Sequence, residues 1–315
     1  MGPHDAVTAL LHYAAKRLLF LAPIALGVAT VVFVLLRLVP GDPAQVLAGP
    51  EATPDVIAQL RVKFGLNQPV LIQYGFFLGR LLHGDLGLSY RSGLTVTQEI
   101  GHRYLATLIL AASATALAVG VGVPLGLAAG THRDSVRDRM AMLVALVGIC
   151  APSFWIGLVL QYWIAARFNL LPMIGGGGMA HLILPSVTLG LYSLASLARI
   201  TRAAVVNTAQ RDYVRTARSK GLGMPFIIRR HILRNALLPI LTSIGLEFGF
   251  LMTGAVVVET VFAYPGIGVL LVQSILSRDY ALVQGLVLFI ALSYVLVNLL
   301  TDLLYALTDP RVSYQ

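Results

Sequence analysis

The sequence predicts an all-α integral membrane protein with six transmembrane helices. Of its 315 residues, 57% are hydrophobic and only 12% are charged, and the mean hydropathy is +0.81. Soluble domains carry about twice that charged fraction, so most of this chain is suited to a lipid environment. Six apolar stretches approach or exceed the length of about 20 residues that a span requires. They are Leu18–Leu36, Leu105–Ala129, Met140–Ala166, Ile183–Ala198, Leu237–Val258 and Leu282–Leu307.

The first apolar stretch follows Lys16 and Arg17, as the core of a signal peptide would. It runs from Leu18 to Leu36, however, and signal-peptide cores have only roughly 7–15 apolar residues. We therefore predict an uncleaved first span.

The basic residues indicate the orientation of these spans. The segment 199–236 is rich in arginine, whereas residues 169–181 between the third and fourth spans carry no lysine or arginine. Short basic loops remain on the cytoplasmic side of the membrane. We therefore expect both termini and the loop 199–236 in the cytoplasm. The net charge of +9 is explained by such loops and does not indicate a nucleic-acid partner.

The predicted organisation has three parts. Residues 1–39 form the N-terminus and first helix, 40–104 an external helical loop, and 105–315 a core of five transmembrane helices. Within the external loop, Pro54–Phe64 and Gln68–Leu82 have the pattern of amphipathic helices that lie on the membrane or cover the outer mouth.

The apolar segment Val261–Ile275 is too short to span the bilayer, and Pro265, Gly266 and Gly268 interrupt it. Unpaired backbone groups are costly in lipid. We expect either a re-entrant or an interfacial segment on the outer side.

Several chemistries have no support in the sequence. None of the three lysines, Lys16, Lys63 and Lys220, follows a phosphate-binding glycine loop. The histidines lack metal-ligand spacing, and no serine lies in a nucleophile elbow. The glycine run 175–178 is predicted to be a flexible outer turn. We therefore expect no enzyme activity, cofactor or metal site in this chain.

The basic loop contains a short predicted helix, Asp212–Leu222, that ends at a glycine. Gly221 allows the sharp exit because glycine tolerates left-handed backbone angles. An ordered helix between two spans suggests a cytoplasmic partner. We expect apolar side chains of this helix to fill a cleft of that partner and arginines to contact its rim: Tyr213, Val214, Ala217 and Leu222 in the cleft, and Arg211, Arg215 and Arg218 at the rim.

Two carboxylates lie inside predicted spans, Glu247 in the fifth and Asp302 in the sixth. Such residues often mark a transport path. The alternative is that each is a buried acid, protonated or hydrogen-bonded at a helix interface. If both line a path, the chain could be a stand-alone secondary transporter or channel, so this alternative function stays open.

Short motifs in a fixed order resemble the permease subunits of bacterial dipeptide- and oligopeptide-importing ABC transporters. The resemblance covers nearly the whole chain. The motifs are Pro40–Ala44, Gly65–Pro69, Gly84–Gly87, Ala151–Trp155, Leu184–Gly190, Asp212–Leu222, Arg234–Pro239, Glu259–Phe262, Tyr264–Gly268, Arg278–Tyr280 and Asn298–Tyr305.

The resemblance implies a type I ABC importer permease fold in a bacterial inner membrane. It implies that Asp212–Leu222 is a coupling helix that docks in a separate ATPase subunit. The residues carried over to this role are Arg211, Asp212, Tyr213, Arg215, Thr216, Ala217, Arg218, Gly221 and Leu222. Arg215 stands where many importers have glutamate. The peptide-importing branch of the family differs from those importers in the same way as this sequence does.

The implied partners are a second permease subunit, two ATPase subunits that bind ATP and Mg²⁺, and an external substrate-binding protein. The external loop and Tyr264, Pro265, Gly266 and Gly268 are expected to form the outer gate or the docking surface for that protein. The cargo stays open among dipeptides, longer peptides, glutathione and nickel chelates.

Overall fold

The computed structural model describes the backbone of residues 3–38, 41–49 and 51–308, and the side chains of 19–38, 41–49 and 51–303. The regular secondary structure of this described part is helical, apart from one isolated bridge between Leu88 and Thr95, and turns and loops connect the helices. Its α-helices are α1 Pro3–Leu38, α2 Pro43–Ala48, α3 Pro54–Lys63, α4 Val70–Leu82, α5 Val96–Leu117, α6 Val123–Thr131, α7 Val136–Cys150, α8 Ser153–Leu160, α9 Met179–Ala209, α10 Asp212–Ser219, α11 Met224–Ile227, α12 Arg234–Phe262, α13 Ile267–Leu276 and α14 Tyr280–Thr308.

Five continuous helical segments are long and apolar enough to cross a membrane: Leu19–Leu38, Val96–Thr131, Met179–Ala209, Met224–Phe262 and Tyr280–Leu303. Two of these segments each consist of two α-helices connected by a π-helical turn. The turn at Ala118–Gly122 connects α5 to α6, and the turn at Ile228–Leu233 connects α11 to α12. A sixth span arises if α7 and the segment Ser153–Arg167 are counted together. The six predicted spans are therefore confirmed, and the third is the unusual one.

The third span bends by 101° between α7 and α8. Ala151 has an extended backbone, with φ −79° and ψ 127°, and Pro152 follows it. Proline has no N–H to continue the helix and disfavours helical angles at the residue before it. The break lies in the Ala151–Trp155 motif, so the sequence itself terminates α7 at this point.

Helix α9 is the centre of the bundle, and it packs against α5, α6, α7, α8 and α12. Small residues allow the close approach of α6. A Cβ at Gly126 would overlap the carbonyl oxygen of Ala198, and a Cβ at Gly130 would overlap Val205. Helices in lipid gain little from hydrophobic exclusion, so such close packing is a main source of association.

The two helices predicted in the external loop are present as α3 and α4, with boundaries that differ by one or two residues. Helix α4 packs against the C-terminal half of α1. Phe77 stacks on Phe33 with ring centroids 5.7 Å apart, and the hydroxyls of Thr30 and Tyr74 are 2.7 Å apart. The external loop is thus anchored to the first span.

The segment predicted as re-entrant or interfacial forms α13, whose ten residues are too few to cross a bilayer. Buried residues of α13 pack against α14 and the start of α5, with Ile267, Leu270 and Leu286 in one cluster. α13 therefore lies at the end of the bundle opposite α10, and these two ends are called the α13 end and the α10 end below.

The α6–α9 contact predicts the effect of one added methyl group. We expect Gly126→Ala to lower the thermal midpoint of the detergent-solubilised protein, because overpacking costs about 1–3 kcal/mol. Gly120→Ala is the matched control, since no atom lies within 4 Å of a Cβ there. Equal midpoints for the two variants would contradict the close approach.

Candidate functional site

The predicted short helix in the basic loop is confirmed as α10, with a well-defined end. Gly221 has a φ of +75°, and its N–H donates to the Arg218 carbonyl at 2.9 Å. The N–H of Leu222 donates to the Ala217 carbonyl at 3.3 Å. These two bonds form the Schellman arrangement that closes a helix around a left-handed glycine. α10 is therefore a compact unit of fixed length.

One face of α10 is buried in the chain's own core. Val214 is fully buried and Ala217 is 5% exposed, and both pack in a cluster that also contains Val205 of α9 and Ile240 of α12. The expectation that these two side chains fill a partner's cleft is therefore wrong. Their apolar spacing instead fixes α10 to the transmembrane helices.

The other face of α10 is open to solvent. Tyr213 is 43% exposed and Leu222 is 39% exposed. The exposed polar and charged residues of this face are Arg211, Asp212, Arg215, Thr216 and Arg218. No ion pair involves these side chains within the described residues. α10 thus presents two apolar side chains among unpaired arginines.

The α10 end contains a second fixed connection that sequence reasoning missed. Arg202 of α9 donates twice to Asp138 of α7, from Nε to Oδ1 at 2.5 Å and from Nη2 to Oδ2 at 2.7 Å. Asp138 is nearly fully buried and also accepts the backbone N–H of Asp134. A bidentate pair of this kind fixes orientation as well as distance. It holds the start of α7 against the last turns of α9.

At the α13 end, the carboxyl group of Glu259 joins three helices. Glu259 is fully buried near the end of α12. Its Oε1 accepts the hydroxyl of Thr107 of α5 at 2.6 Å, and its Oε2 accepts the N–H of Gly268 at 2.7 Å and of Val269 at 3.2 Å. The Thr107 hydroxyl oxygen in turn accepts the N–H of Ile267 at 2.9 Å. These contacts satisfy the first amides of α13, and we call them the Glu259 bracket.

The glycines around the Glu259 bracket are required by space. A Cβ on Gly266 or Gly268 would overlap the Glu259 carboxyl group. This explains the glycines of the Tyr264–Gly268 motif without any contact to a ligand. The motif was visible in the sequence, but its carboxylate partner Glu259 was not identified as a site.

Of the four residues predicted for an outer gate, Tyr264, Pro265 and Gly266 lie in the turn between α12 and α13, and Gly268 lies in the first turn of α13. Tyr264, Gly266 and Gly268 are buried, and only Pro265 is exposed. Burial raises the pKa of Tyr264 above its ordinary value, and the nearby Glu259 adds to the shift, so the phenol stays neutral at physiological pH. The turn is therefore a closed structural unit with Pro265 at its surface.

The glycine run 175–178 packs on this turn, which differs from the flexible turn predicted. The N–H of Gly175 donates to the carbonyl of Phe262 at 2.9 Å, and a Cβ on Gly176 would lie 2.6 Å from Pro265. Gln161 adds two bonds of 3.0 Å, to the carbonyls of Met173 and Val261.

Glu247 and Asp302 lie on different helices, α12 and α14. Glu247 accepts the hydroxyl of Ser193 of α9 at 2.6 Å and is partly buried. Asp302 is a partly buried residue of α14. On α12, Gly245 packs closely against Thr301 of α14. The hydrogen bond to serine matches the helix-interface alternative for Glu247.

The Glu259 bracket predicts a local opening of α13 when its acceptor is removed. We expect Glu259→Ala to speed hydrogen exchange at the amides of Ile267, Gly268 and Val269 by about tenfold or more, because each buried hydrogen bond to a charged group is worth about 1.5–3 kcal/mol. Mass spectrometry of hydrogen exchange measures this directly.

Glu51→Ala is the control, since Glu51 is exposed in the external loop. Thr107→Val keeps the side-chain shape and should accelerate mainly Ile267. Native protection of all three amides in Glu259→Ala would contradict the assigned role of the bracket.

Comparison with known proteins covers almost the whole chain. The profile of the binding-protein-dependent transport system inner membrane component matches residues 122–314, and the corresponding N-terminal profile matches residues 10–111. The glutathione transport system permease protein GsiC of Salmonella typhimurium is 42% identical over 306 residues, covering 97% of this chain and 100% of that protein. GsiC of Pectobacterium atrosepticum is 43% identical, with the same coverage of both chains.

Solved structures show the same fold. The MetNI methionine ABC transporter, in an inward-facing conformation, aligns with a TM-score of 0.56 and 15% identity, over 68% of this chain and 97% of that chain. An amino acid ABC transporter aligns with a TM-score of 0.51 and 23% identity, over 69% and 95% of the two chains. The order of the motifs, the fold and these matches together show that the chain belongs to the family of binding-protein-dependent transport system inner membrane components, which are permease subunits of ABC transporters.

Proposed function

We propose that this subunit forms half of the translocation pathway for glutathione or a short peptide of similar size. The chain is a membrane-spanning subunit of an ABC importer, and in this family ATP is hydrolysed by separate subunits. The cargo proposal is supported by the relatives named for glutathione transport, which match over their full length at 41–43% identity. Short peptides are the broader class of cargo that includes glutathione.

We infer that the α10 end faces the cytoplasm of a bacterium and that both termini lie there. Arginines are concentrated in and after α10, and positive charge is retained on the cytoplasmic side. The same orientation places the external loop 40–104 and α13 outside, where a binding protein would deliver cargo.

The two faces of α10 are the observation that carries the proposed mechanism. Its exposed side, with Tyr213, Arg215 and Leu222, suits docking in a groove of an ATPase subunit. Its buried side, with Val214 and Ala217, is packed on α9 and α12. A displacement of the docked helix would therefore move these two spans with it, because packed cores shift as units.

Helix α12 can carry that displacement across the membrane. Its 29 residues extend about 44 Å at the usual rise per residue. Near its start, Ala236 and Ile240 pack in the same buried cluster as Val214 and Ala217 of α10. Near its end, the Glu259 carboxylate accepts hydrogen bonds from the first amides of α13. We propose that α12 links movement at the ATPase to opening at the outer side. In this scheme the turn at Pro265 and the external loop contact the second permease and the binding protein.

The docking proposal predicts a selective loss of the ATPase partner. We expect Arg215→Glu to abolish or strongly reduce co-purification of the ATPase subunits from membranes that contain all subunits of the transporter. Arg215 is exposed and is part of no ion pair within the described residues, so its reversal should leave the fold intact.

Arg137→Glu is the matched control, because Arg137 is exposed at the start of α7 outside α10. Full retention of the ATPase subunits by Arg215→Glu would refute the docking face. Loss of the subunits by both variants would show a general charge effect instead.

The cargo and the energy source are tested together by reconstitution. We expect vesicles with the complete transporter to accumulate labelled glutathione only when ATP and the binding protein are supplied. Vesicles that contain this chain alone should accumulate none, with or without an ion gradient. Gradient-driven uptake by the single chain would favour the alternative secondary carrier that uses Glu247 and Asp302.

A further inference from the structure

A cavity of about 330 Å³ lies at the α13 end. It is enclosed by the start of α5, by α13, and by the turn at residues 89–92 that precedes α5, which we call the outer turn. Its volume is within the range of about 300–1,000 Å³ typical of small-molecule sites. Several hydroxyl and amide side chains line it. The four charged residues of the lining are Arg91, Glu99, Arg103 and Asp279. Two are acidic and two are basic, so the lining has no net charge.

The acidic residue Asp279 is fully used by the fold. It accepts the hydroxyl of Ser89 at 2.6 Å, the N–H of Arg91 at 3.3 Å and the N–H of Leu282 at 3.2 Å. It thereby caps the start of α14 and fastens the outer turn to it. Asp279 is 1% exposed and has little capacity for a ligand.

Glu99 differs from Asp279 in this respect. Its residue surface is only 8% exposed, its side chain has no hydrogen bond and no ion pair within the described part of the chain, and its carboxylate oxygens are open to the cavity. Arg103, one turn later on α5, lines the same cavity without approaching Glu99 to ion-pair distance. The Glu99 carboxylate is therefore the acidic group of this lining that is free to accept hydrogen bonds. The cavity is where a partner for it would lie.

We propose that this cavity binds a small zwitterion that carries a primary ammonium and a carboxylate. The ammonium pairs with Glu99, and the carboxylate pairs with Arg103 and Arg91. The lining offers both an acidic partner, Glu99, and basic partners, Arg91 and Arg103, so each charged end of a zwitterion has an opposite charge to pair with. The hydroxyl groups of Ser92 and Ser277 at the cavity wall can solvate the remaining polar atoms.

This inference deepens the proposed function, since it rests on the chain serving an importer of short peptides. It places a weak site for the free peptide head group outside the transmembrane path. Such a site would receive cargo released by a binding protein before the cargo enters the pathway. Free amino acids have the same head-group chemistry, so the test includes both sources.

The test measures binding to the full chain in lipid nanodiscs, without ATPase subunits, nucleotide or binding protein. Saturation-transfer NMR reports the affinity for glycylglycine, glycine, N-acetylglycylglycine and glycylglycinamide. The last two lack the ammonium and the carboxylate respectively. We expect glycylglycine to bind about tenfold more tightly than either capped form, since each removes one charge-assisted contact. Glycine separates a free amino acid from a peptide as the source.

Three variants localise the effect. Glu99→Gln should weaken glycylglycine binding about tenfold and abolish the discrimination against the N-acetyl form. Arg103→Gln should abolish the discrimination against the amide instead. Glu51→Gln, an exposed carboxylate in the same external loop, should bind as the wild type does. Circular dichroism and gel filtration confirm that each variant is folded.

Equal affinity of the wild-type chain for all three dipeptide forms would overturn the proposal, even if a variant misfolds. Absence of saturable glycylglycine binding would overturn it as well. Neither result bears on the docking of α10, which is measured by co-purification. Conversely, selective binding by a chain that fails to recruit an ATPase would refute the proposed function and leave this site in place.

Discussion

The attachment of α12 at both of its ends is the constraint on which the rest of the structure depends. Near its start, Ala236 and Ile240 are buried with the apolar face of α10. Near its end, the carboxyl group of Glu259 binds the first amides of α13. Pro239 interrupts the hydrogen-bond ladder only near the start of α12, and from Ile240 to Glu259 the helix contains no proline, so this stretch resists compression and bending. Neither end can shift without a change at the other, unless one of the two attachments gives way.

Helices α6, α7 and α12 are held to α9 by contacts that lipid does not weaken. Apolar surface gains little from burial between helices when the surrounding solvent is itself apolar. Close backbone approach at Gly126, the Arg202–Asp138 pair and the Ser193–Glu247 hydrogen bond all add energy that lipid cannot replace. These contacts connect the helices to α9, so the α10 end behaves as one body.

The division between rigid and open surfaces fits a subunit that works within an assembly. The exposed arginines of α10 and the exposed Pro265 lie at opposite ends of the same packed core. In the proposed mechanism these two surfaces are the ones that contact other chains. The cavity at Glu99 is a third open feature, and its volume suits a small molecule rather than a protein.

Local chemistry made much of the architecture predictable. Long apolar runs predicted the spans, and proline and glycine positions predicted the ends of α3, α4 and α10. The expectation for Val214 and Ala217 failed because periodicity shows that two residues share an apolar face without showing what covers it. The bend at Pro152 was visible as a motif, but its angle depends on packing.

The sequence by itself determined the number of spans, the two helices of the external loop, and a glycine-terminated helix in a basic loop. Each of these depends on residues within a few turns of one another, where backbone preferences and hydrophobic periodicity act directly. Only the tertiary structure decided that Thr107 and Glu259, 152 residues apart, form one bracket, and that Glu99 faces a cavity. Such pairings depend on how whole helices pack, and no local pattern in the chain encodes them.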